Sequence, residues 1–143
     1  MKLLASEFCD KKLIPNINEN ILGRFNNHID KGEKVIIISG GYSVYLKEFA
    51  NRFAKVEVIA SELRIKNNFY TGSIEGTDCL GIEKLEKLNK QIKLEEYNLK
   101  DSSGYTDSLL DLPLMELFGL KHLVDIGQRK DWAEILGWEI IQK

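Results

Sequence analysis

A run of four β-branched residues, from Val35 to Ile38, is the feature that most constrains the fold of this chain. No charge interrupts the run, and β-branched side chains are favoured in strands. An unbroken apolar strand is typical of a parallel sheet that is covered on both faces. The run ends at Ser39-Gly40-Gly41, which predicts a sharp turn before the next element.

The segments on either side of this strand alternate between helical and extended patterns. Helices are predicted at residues 16–31, 43–54, 82–93, 111–118 and 129–136, strands at 35–38, 55–60, 103–107 and 122–126, and a last apolar piece at 138–141. Residues 63–74 are predicted to form a β-hairpin that turns at Lys66-Asn67-Asn68, and Asn16 and Gly32 are predicted to bound the first long helix. This alternation predicts a single α/β domain with helices on both faces of a parallel sheet.

Composition narrows the classes of partner. The net charge is −2 and the sequence pI is about 5.8, so no global attraction to nucleic acid or to an anionic membrane is expected. No apolar run approaches the roughly 20 residues that a membrane span needs. Cys9 and Cys79 lie outside any CxxC pattern and no secretory signal precedes them, which predicts free thiols in a reducing cytoplasm.

Three features lie where ligands bind in α/β sheets, beyond the carboxyl ends of the strands. Ser39-Gly40-Gly41 offers a hydroxyl and approachable backbone N–H groups before a helix, which suits a phosphate. The alternative is a Ser39 helix cap with glycines that serve only the turn.

Asp107 and Asp111 are four residues apart at a strand-to-helix turn, which suits a hard divalent cation such as Mg²⁺. The alternative is that one of them caps the helix whose first turn contains Pro113. Lys84, near the start of a helix, can neutralise a phosphate, although most lysines at such positions are solvated.

The ordered set of these features resembles the haloacid dehalogenase superfamily, and within it the phosphoserine-phosphatase-like subgroup. The resemblance is carried by Ile36-Ile37-Ile38-Ser39-Gly40-Gly41-Tyr42, Gly81-Ile82-Glu83-Lys84, Tyr105-Thr106-Asp107-Ser108-Leu109-Leu110-Asp111, and the tail Gly137-Trp138-Glu139-Ile140-Ile141. It implies a Rossmann-like three-layer fold and a Mg²⁺-dependent phosphomonoester hydrolase that acts on a small phosphorylated metabolite.

The resemblance also implies a role for each matched residue. Ser39 and the Gly40 N–H would bind the phosphoryl oxygens, and Lys84 would offset the negative charge of nucleophile and phosphate. Asp107 would ligate Mg²⁺, and Asp111 would complete or orient that shell.

The family's first motif, Asp-x-Asp-x-Thr on a central strand, is not matched, because no Asp-x-Asp pair occurs in residues 1–143. The nearest imitation places Phe8 in the nucleophile position and Asp10 in the acid/base position, and a phenyl ring cannot attack phosphorus. Residues 1–14 are instead predicted to be the end of a cap that returns to the core. Thr106 stands where the family usually has Gly.

Without that motif the sheet is expected to be incomplete, since the family's first strand lies between the strand that ends at Ser39 and the one that ends at Asp107. Those strands would then pair directly, or the gap would be filled by a missing N-terminal segment, a partner chain or a second copy. The chain alone is predicted to be inactive and either marginally stable or oligomeric. Two alternatives remain: a non-catalytic module that binds a phosphorylated metabolite or a protein, and one half of a split phosphatase.

Overall fold

A computed structural model of the protein describes residues 1–53 and 56–142. The helices are Lys2–Phe8 (α1), Glu19–Asp30 (α2), Ser43–Ala50 (α3), Ile82–Gln91 (α4), Leu112–Met115 (α5) and Asp131–Ile135 (α6). The strands are Val35–Tyr42 (β1), Val56–Ser61 (β2), Leu63–Lys66 (β3), Phe69–Ile74 (β4), Ser103–Thr106 (β5), Leu120–Val124 (β6) and Glu139–Ile141 (β7). None of the helices in this part of the chain is long and apolar enough to cross a lipid bilayer.

The parallel strands form two sheets. β1 pairs with β2, with α3 as the connection, while β5, β6 and β7 form a three-stranded sheet in that order. The α/β prediction is confirmed. Direct pairing of the strand that ends at Ser39 with the one that leads to Asp107 does not occur, because in the described residues β1 and β5 each have a single strand partner. Each of these strands therefore has a free edge.

The hairpin predicted at residues 63–74 is also confirmed. β3 and β4 pair antiparallel, and the two turn residues, Asn67 and Asn68, have φ of 51° and 65°. Asparagine tolerates this left-handed conformation better than most residues, and two such residues in a row build the tight turn whose twist suits a hairpin.

Several predicted boundaries shift for local reasons. α2 begins after Asn18, whose side chain accepts a hydrogen bond from Ile21 N at 3.2 Å, so Asn18 rather than Asn16 caps the helix. Gly32 follows the end of α2 with φ of 71°, as predicted. The predicted helix 111–118 is reduced to α5, with a 3₁₀ turn before it at Leu109–Asp111. Residues 54 and 55, which the predicted helix 43–54 and strand 55–60 included, lie outside the described residues.

The first residues are helical, which contradicts the reading that aligned them with the family's first motif. Phe8 ends α1 and Asp10 lies in the helical turn Cys9–Leu13 that continues it, so neither follows a strand. Asp10 accepts a hydrogen bond from Arg52 at 2.6 Å. α1 and the turn that follows it pack on α3, and Ala5 of α1 and Cys9 of the turn are buried. That residues 1–14 form the end of a cap stays a prediction.

The apolar core lies under α4. Ile59 of β2, Cys79, Leu88 of α4 and Leu114 of α5 form one buried cluster, and Ile36 and Ile38 of β1 pack against it. Because this cluster joins residues of β1 and β2 to α5, α4 ties the two parallel sheets together on one side. The loop before α4 contacts the carboxyl end of β2, and α4 itself contacts the turn that follows β5.

The three-stranded sheet is covered on both faces. On one face, a Cβ at Gly104 would lie 2.9 Å from Met115 Sδ, so the glycine lets α5 approach the backbone. On the other face lies Tyr105, since successive side chains of a strand point in opposite directions. There Tyr105 Oη contacts His28 Nε2 of α2 at 2.9 Å.

Candidate functional site

The predicted turn at Ser39-Gly40-Gly41 is a bulge inside β1. Ser39 pairs with Ala60 and Tyr42 pairs with Ser61, so the two glycines are extra residues with no partner in the ladder. The Ser39 hydroxyl oxygen accepts a hydrogen bond from Gly41 N at 3.0 Å. The bulge thus turns the Ser39 hydroxyl and the glycine backbone out of the ladder at the carboxyl end of β1.

Ser61, at the end of β2, holds the bulge against the loop that leads to α4. Its hydroxyl donates to Gly40 O at 3.0 Å and accepts from Cys79 N at 2.9 Å. A Cβ at Gly40 would crowd Leu80 Cδ2, so the glycine lets the Leu80 side chain approach the backbone of the bulge. The bulge and the loop before Lys84 are therefore in direct contact.

Lys84 and Asp111 form an ion pair in which both side chains are largely withdrawn from water. The Lys84 ammonium lies 2.7 Å from the Asp111 carboxylate, and the two side chains are 13% and 8% exposed. Thr106 Oγ1 donates to Asp111 Oδ2 at 2.6 Å and accepts from Ser108 N at 3.1 Å. Two donors therefore fix Asp111, and Asp111 in turn fixes the direction of Lys84.

Asp107 lies just beyond β5 and is exposed. Its backbone carbonyl accepts a hydrogen bond from Gln128 Nε2 at 2.9 Å, and the same nitrogen donates to Val124 O at 2.9 Å. Gln128 therefore joins the carboxyl ends of β5 and β6. The Asp107 carboxylate has no hydrogen-bond or ion-pair partner within residues 1–53 and 56–142, which leaves both of its oxygens free for a ligand.

Asp107 forms one wall of an open cleft of about 510 Å³. The cleft is lined by Asp107, Ser108, Leu109, Gln128, Arg129, Asp131 and Trp132. Within it the Arg129 guanidinium lies beside Asp131 and lowers the pKa of that carboxyl. These two charges offset each other, so Asp107 carries the unpaired negative charge of the cleft.

Other charged residues near the bulge have structural partners. Lys87 Nζ donates to Thr77 O at 2.8 Å, which holds the loop before α4. Burial favours a higher pKa for Glu62, but hydrogen bonds from Lys47 and Ser43 outweigh it and lower the pKa of Glu62 below its ordinary value. Ser43 is thereby engaged with Glu62 and is not available to a ligand.

The residues differ in how they suit a metal ion. Asp107 offers two free carboxylate oxygens, the ligand type that Mg²⁺ prefers, whereas the oxygens of Asp111 already accept from Lys84 and Thr106. In the part of the chain that is described, no three His, Cys, Asp or Glu side chains are grouped closely enough to hold a metal ion. A cation here would be held by Asp107 together with water and the oxygens of a bound ligand.

Of the residues predicted from sequence, Lys84 and Asp111 are in direct contact. Ser39 and Gly40 adjoin the loop that leads to Lys84, and Asp107 follows the Thr106 that holds Asp111. Sequence reasoning missed the bridging roles of Ser61 and Gln128. The position of Ser61 at the end of a strand beside Ser39 is a signal that could have identified it, whereas nothing in the local pattern marks Gln128.

Comparison with known proteins agrees with this architecture. The model of the family described as haloacid dehalogenase-like hydrolase matches residues 4–116. A probable phosphatase of Mycobacterium tuberculosis is 27% identical over 112 residues, which are 77% of this chain and 38% of that protein. A phosphoserine phosphatase of Methanocaldococcus jannaschii is 28% identical over 92 residues, 64% of this chain and 44% of that protein. The chain thus spans less than half the length of these two relatives.

Solved structures share the fold. A protein of unknown function from Bordetella pertussis Tohama I superposes with a TM-score of 0.81 at 24% identity, over 96% of this chain and 63% of that one. A phosphoserine phosphatase in its apo form superposes with a TM-score of 0.59 at 24% identity, over 80% and 63%. Because the family model matches most of this chain, residues 4–116, the chain belongs to the haloacid dehalogenase-like hydrolases.

Proposed function

We propose that this chain carries the phosphate- and metal-binding half of a Mg²⁺-dependent phosphomonoester hydrolase that acts on a small phosphorylated metabolite in the cytoplasm. The observation that carries the proposal is the withdrawn Lys84–Asp111 pair beside the Ser39 bulge and the exposed Asp107. A fixed cation on α4, together with a hydroxyl and a free carboxylate at the carboxyl ends of β1 and β5, suits phosphoryl transfer, which depends mostly on positioning and charge stabilisation.

Each residue would act by a separate physical means. The Ser39 hydroxyl and the Gly40 N–H would donate to phosphoryl oxygens, and the Lys84 ammonium would offset the charge of the phosphoryl group. Asp111 and Thr106 would keep Lys84 in place, which is how Asp111 would orient the site even without binding the metal directly. Mg²⁺, held by Asp107 and by phosphate oxygens, would supply further positive charge.

The nucleophile would come from outside this sequence, because no Asp-x-Asp pair occurs in it. β1 and β5 each have an edge with no strand partner in the described residues, and exposed edges recruit further strands. We propose that a strand carrying this motif, from a preceding segment or a separate polypeptide, completes both the sheet and the site. The chain alone would then bind phosphate without turnover.

Orthophosphate binding is the direct test, since it does not require the nucleophile. A ³¹P NMR titration of the chain with and without Mg²⁺ should show binding that Mg²⁺ strengthens and that Asp107→Asn makes insensitive to Mg²⁺. Asp101→Asn, an exposed aspartate before β5, is the matched control and should leave the Mg²⁺ effect intact. If Mg²⁺ does not change the affinity of the unaltered chain for orthophosphate, the proposed role of the metal is wrong.

Hydrolysis of an aryl phosphate separates the enzyme from a non-catalytic binding module. The chain alone should show no Mg²⁺-dependent turnover. A peptide that carries an Asp-x-Asp-x-Thr strand, added in trans, should restore it if the chain is one half of a phosphatase. Phosphate binding without turnover, both for the chain alone and with the added peptide, would favour the binding module. The presence of Ser39, Lys84 and Asp107 is equally consistent with that function. Turnover by the chain alone would contradict the absence of a nucleophile.

A further inference from the structure

The Tyr45 side chain reaches the Ser39 bulge from the first turn of α3. A Cβ at Gly41 would overlap the Tyr45 hydroxyl oxygen and would lie 3.3 Å from Ser39 Oγ. The two hydroxyl groups therefore both lie on the side of Gly41 where a Cβ would stand. Gly41 is not among the residues with positive φ, so the glycine is needed here for space and not for an unusual backbone conformation. What occupies that space is the Tyr45 hydroxyl.

The ring of Tyr45 packs against a neighbouring aromatic ring, while its hydroxyl group is not engaged. Phe8 of α1 packs against the ring with centroids 5.0 Å apart, and the Tyr45 carbonyl lies 3.3 Å from Cys9 Sγ. The hydroxyl makes no hydrogen bond with any residue that the structure describes. A phenol fixed by its ring, with its donor and acceptor both free beside a bulge, is arranged for a ligand more than for the fold.

The Ser39 hydroxyl is also available as a hydrogen-bond donor. Its oxygen accepts from Gly41 N, so its hydrogen is free to donate. Leu80 closes the space beside Gly40, and Tyr45 lines the space beside Gly41. An anion that takes a hydrogen bond from Ser39 would therefore meet the Tyr45 hydroxyl as the next donor. A neutral phenol adds a hydrogen bond to an oxyanion without adding a charge.

We infer that Tyr45 is a second side-chain donor to the phosphate at the Ser39 bulge, an inference that rests on the proposed function. Phe8 and α1 act on the ligand through Tyr45, because they fix the direction of its ring. Gly41 provides the space through which the hydroxyl reaches the bulge.

The test is the orthophosphate titration applied to Tyr45→Phe, which removes the hydroxyl and keeps the ring. Loss of one hydrogen bond to an anion should weaken binding roughly three- to tenfold. Tyr42→Phe is the matched control, because Tyr42 is an exposed phenol at the same end of β1. This variant should bind phosphate as tightly as the unaltered chain does. Near-ultraviolet circular dichroism of both variants should show the packing of the unaltered chain.

A double substitution tests the geometry independently. Gly41→Ala as a single substitution should weaken phosphate binding because it displaces the Tyr45 hydroxyl. The same substitution should weaken binding less when it is added to Tyr45→Phe. If the unaltered chain binds phosphate and Tyr45→Phe binds it equally well, the inference about Tyr45 is overturned and the proposed function stands. If the unaltered chain binds no phosphate in the presence of Mg²⁺, the proposed function fails and this inference fails with it.

Discussion

Two helices bridge the two parallel sheets, and they do so with different chemistry. α4 packs apolar side chains, with Leu88 at the centre, between β2 and α5, and adds one ion pair, Lys84–Asp111, that water scarcely reaches. α2 instead places Arg24 and His28 over the three-stranded sheet. The α4 side therefore fixes the candidate site, while the α2 side holds the sheets together through polar groups.

The polar contacts of α2 follow the register of the sheet. Tyr105 pairs with His122 and His122 pairs with Glu139, so these residues form one row across β5, β6 and β7. Arg24 donates to both carboxylate oxygens of Glu139, and His122 Nδ1 lies 2.7 Å from the same carboxylate. His122 Nε2 is buried without a described partner. This side should respond to pH, whereas the apolar contacts of α4 should not.

The largest effect is expected from Lys84→Met. It removes the cation and leaves the buried Asp111 carboxylate with Thr106 as its remaining donor, which should lower the free energy of unfolding by about 3–5 kcal/mol. Urea denaturation measures the loss. The double variant Lys84→Met, Asp111→Leu removes both charges and should recover most of it. A cost below about 1 kcal/mol for Lys84→Met alone would mean that water reaches Asp111, against its 8% exposure.

Leu88→Ala should cost about 2–5 kcal/mol of unfolding free energy, because Leu88 is 1% exposed and the core around it can collapse only in part. Leu3→Ala, at a residue that is 86% exposed, is the matched control and should change stability by about 0.5 kcal/mol or less. Equal effects of the two substitutions in urea denaturation would contradict the assignment of the core to the α4 side.

Thr106→Val should cost about 1–3 kcal/mol, because it removes a donor from Asp111 and an acceptor from Ser108 N in a buried place. Thr106→Ser keeps the hydroxyl and should retain most of the stability. If Val and Ser variants unfold at the same urea concentration, the hydroxyl contributes nothing and Asp111 relies on Lys84 alone.

The smallest effect is a pH dependence on the α2 side. Burial lowers the pKa of His122 below its ordinary value of 6.5, although Glu139 opposes the shift. The unfolded chain therefore binds the proton more readily, so stability should fall as pH drops from 7.5 to 5.5, by at most about 1.4 kcal/mol per pH unit for one proton. His28 contacts Tyr105 and Glu33 on the same side of the sheet.

Urea denaturation at pH 7.5, 6.5 and 5.5 measures this slope. His122→Phe keeps an aromatic ring against Tyr105 but carries no proton, so its slope should be shallower. Arg24 lowers the pKa of Glu139, and the stability from that carboxylate is lost only as pH falls through the lowered value, below the measured window. Identical slopes for the two proteins would show that His122 does not titrate differently in the folded and unfolded states.

The types of most elements could be predicted from sequence because local patterns determine them. The β-branched run before Ser39 predicts a strand, and Asn67-Asn68 predicts a tight hairpin turn. The ordered motifs also indicated the family and brought attention to Lys84, Asp107 and Asp111. These signals lie within short windows of the chain, where neighbouring residues decide the conformation.

The division into two sheets depends on contacts that no short window contains. A run such as Val35 to Ile38 predicts a buried strand, but it does not indicate which strands lie beside it in the sheet. The Gly40-Gly41 pair predicts a turn, but glycines also favour β-bulges, and only the pairing of β1 with β2 shows which of the two forms. From sequence, Thr106 is only a departure from the family's usual Gly, because its hydrogen bond to Asp111 depends on the three-dimensional arrangement.

The free edges of β1 and β5 should leave a distinct signature in hydrogen–deuterium exchange. Along a strand that is paired on one side, alternate backbone amides point towards the partner and the others point away from it. Amides between Val35 and Ser39 should therefore alternate between slow and fast uptake of deuterium, and so should those between Ser103 and Thr106. A strand inserted between β1 and β5 would slow exchange only at the fast-exchanging amides of these two strands. Its binding could therefore be followed at individual residues.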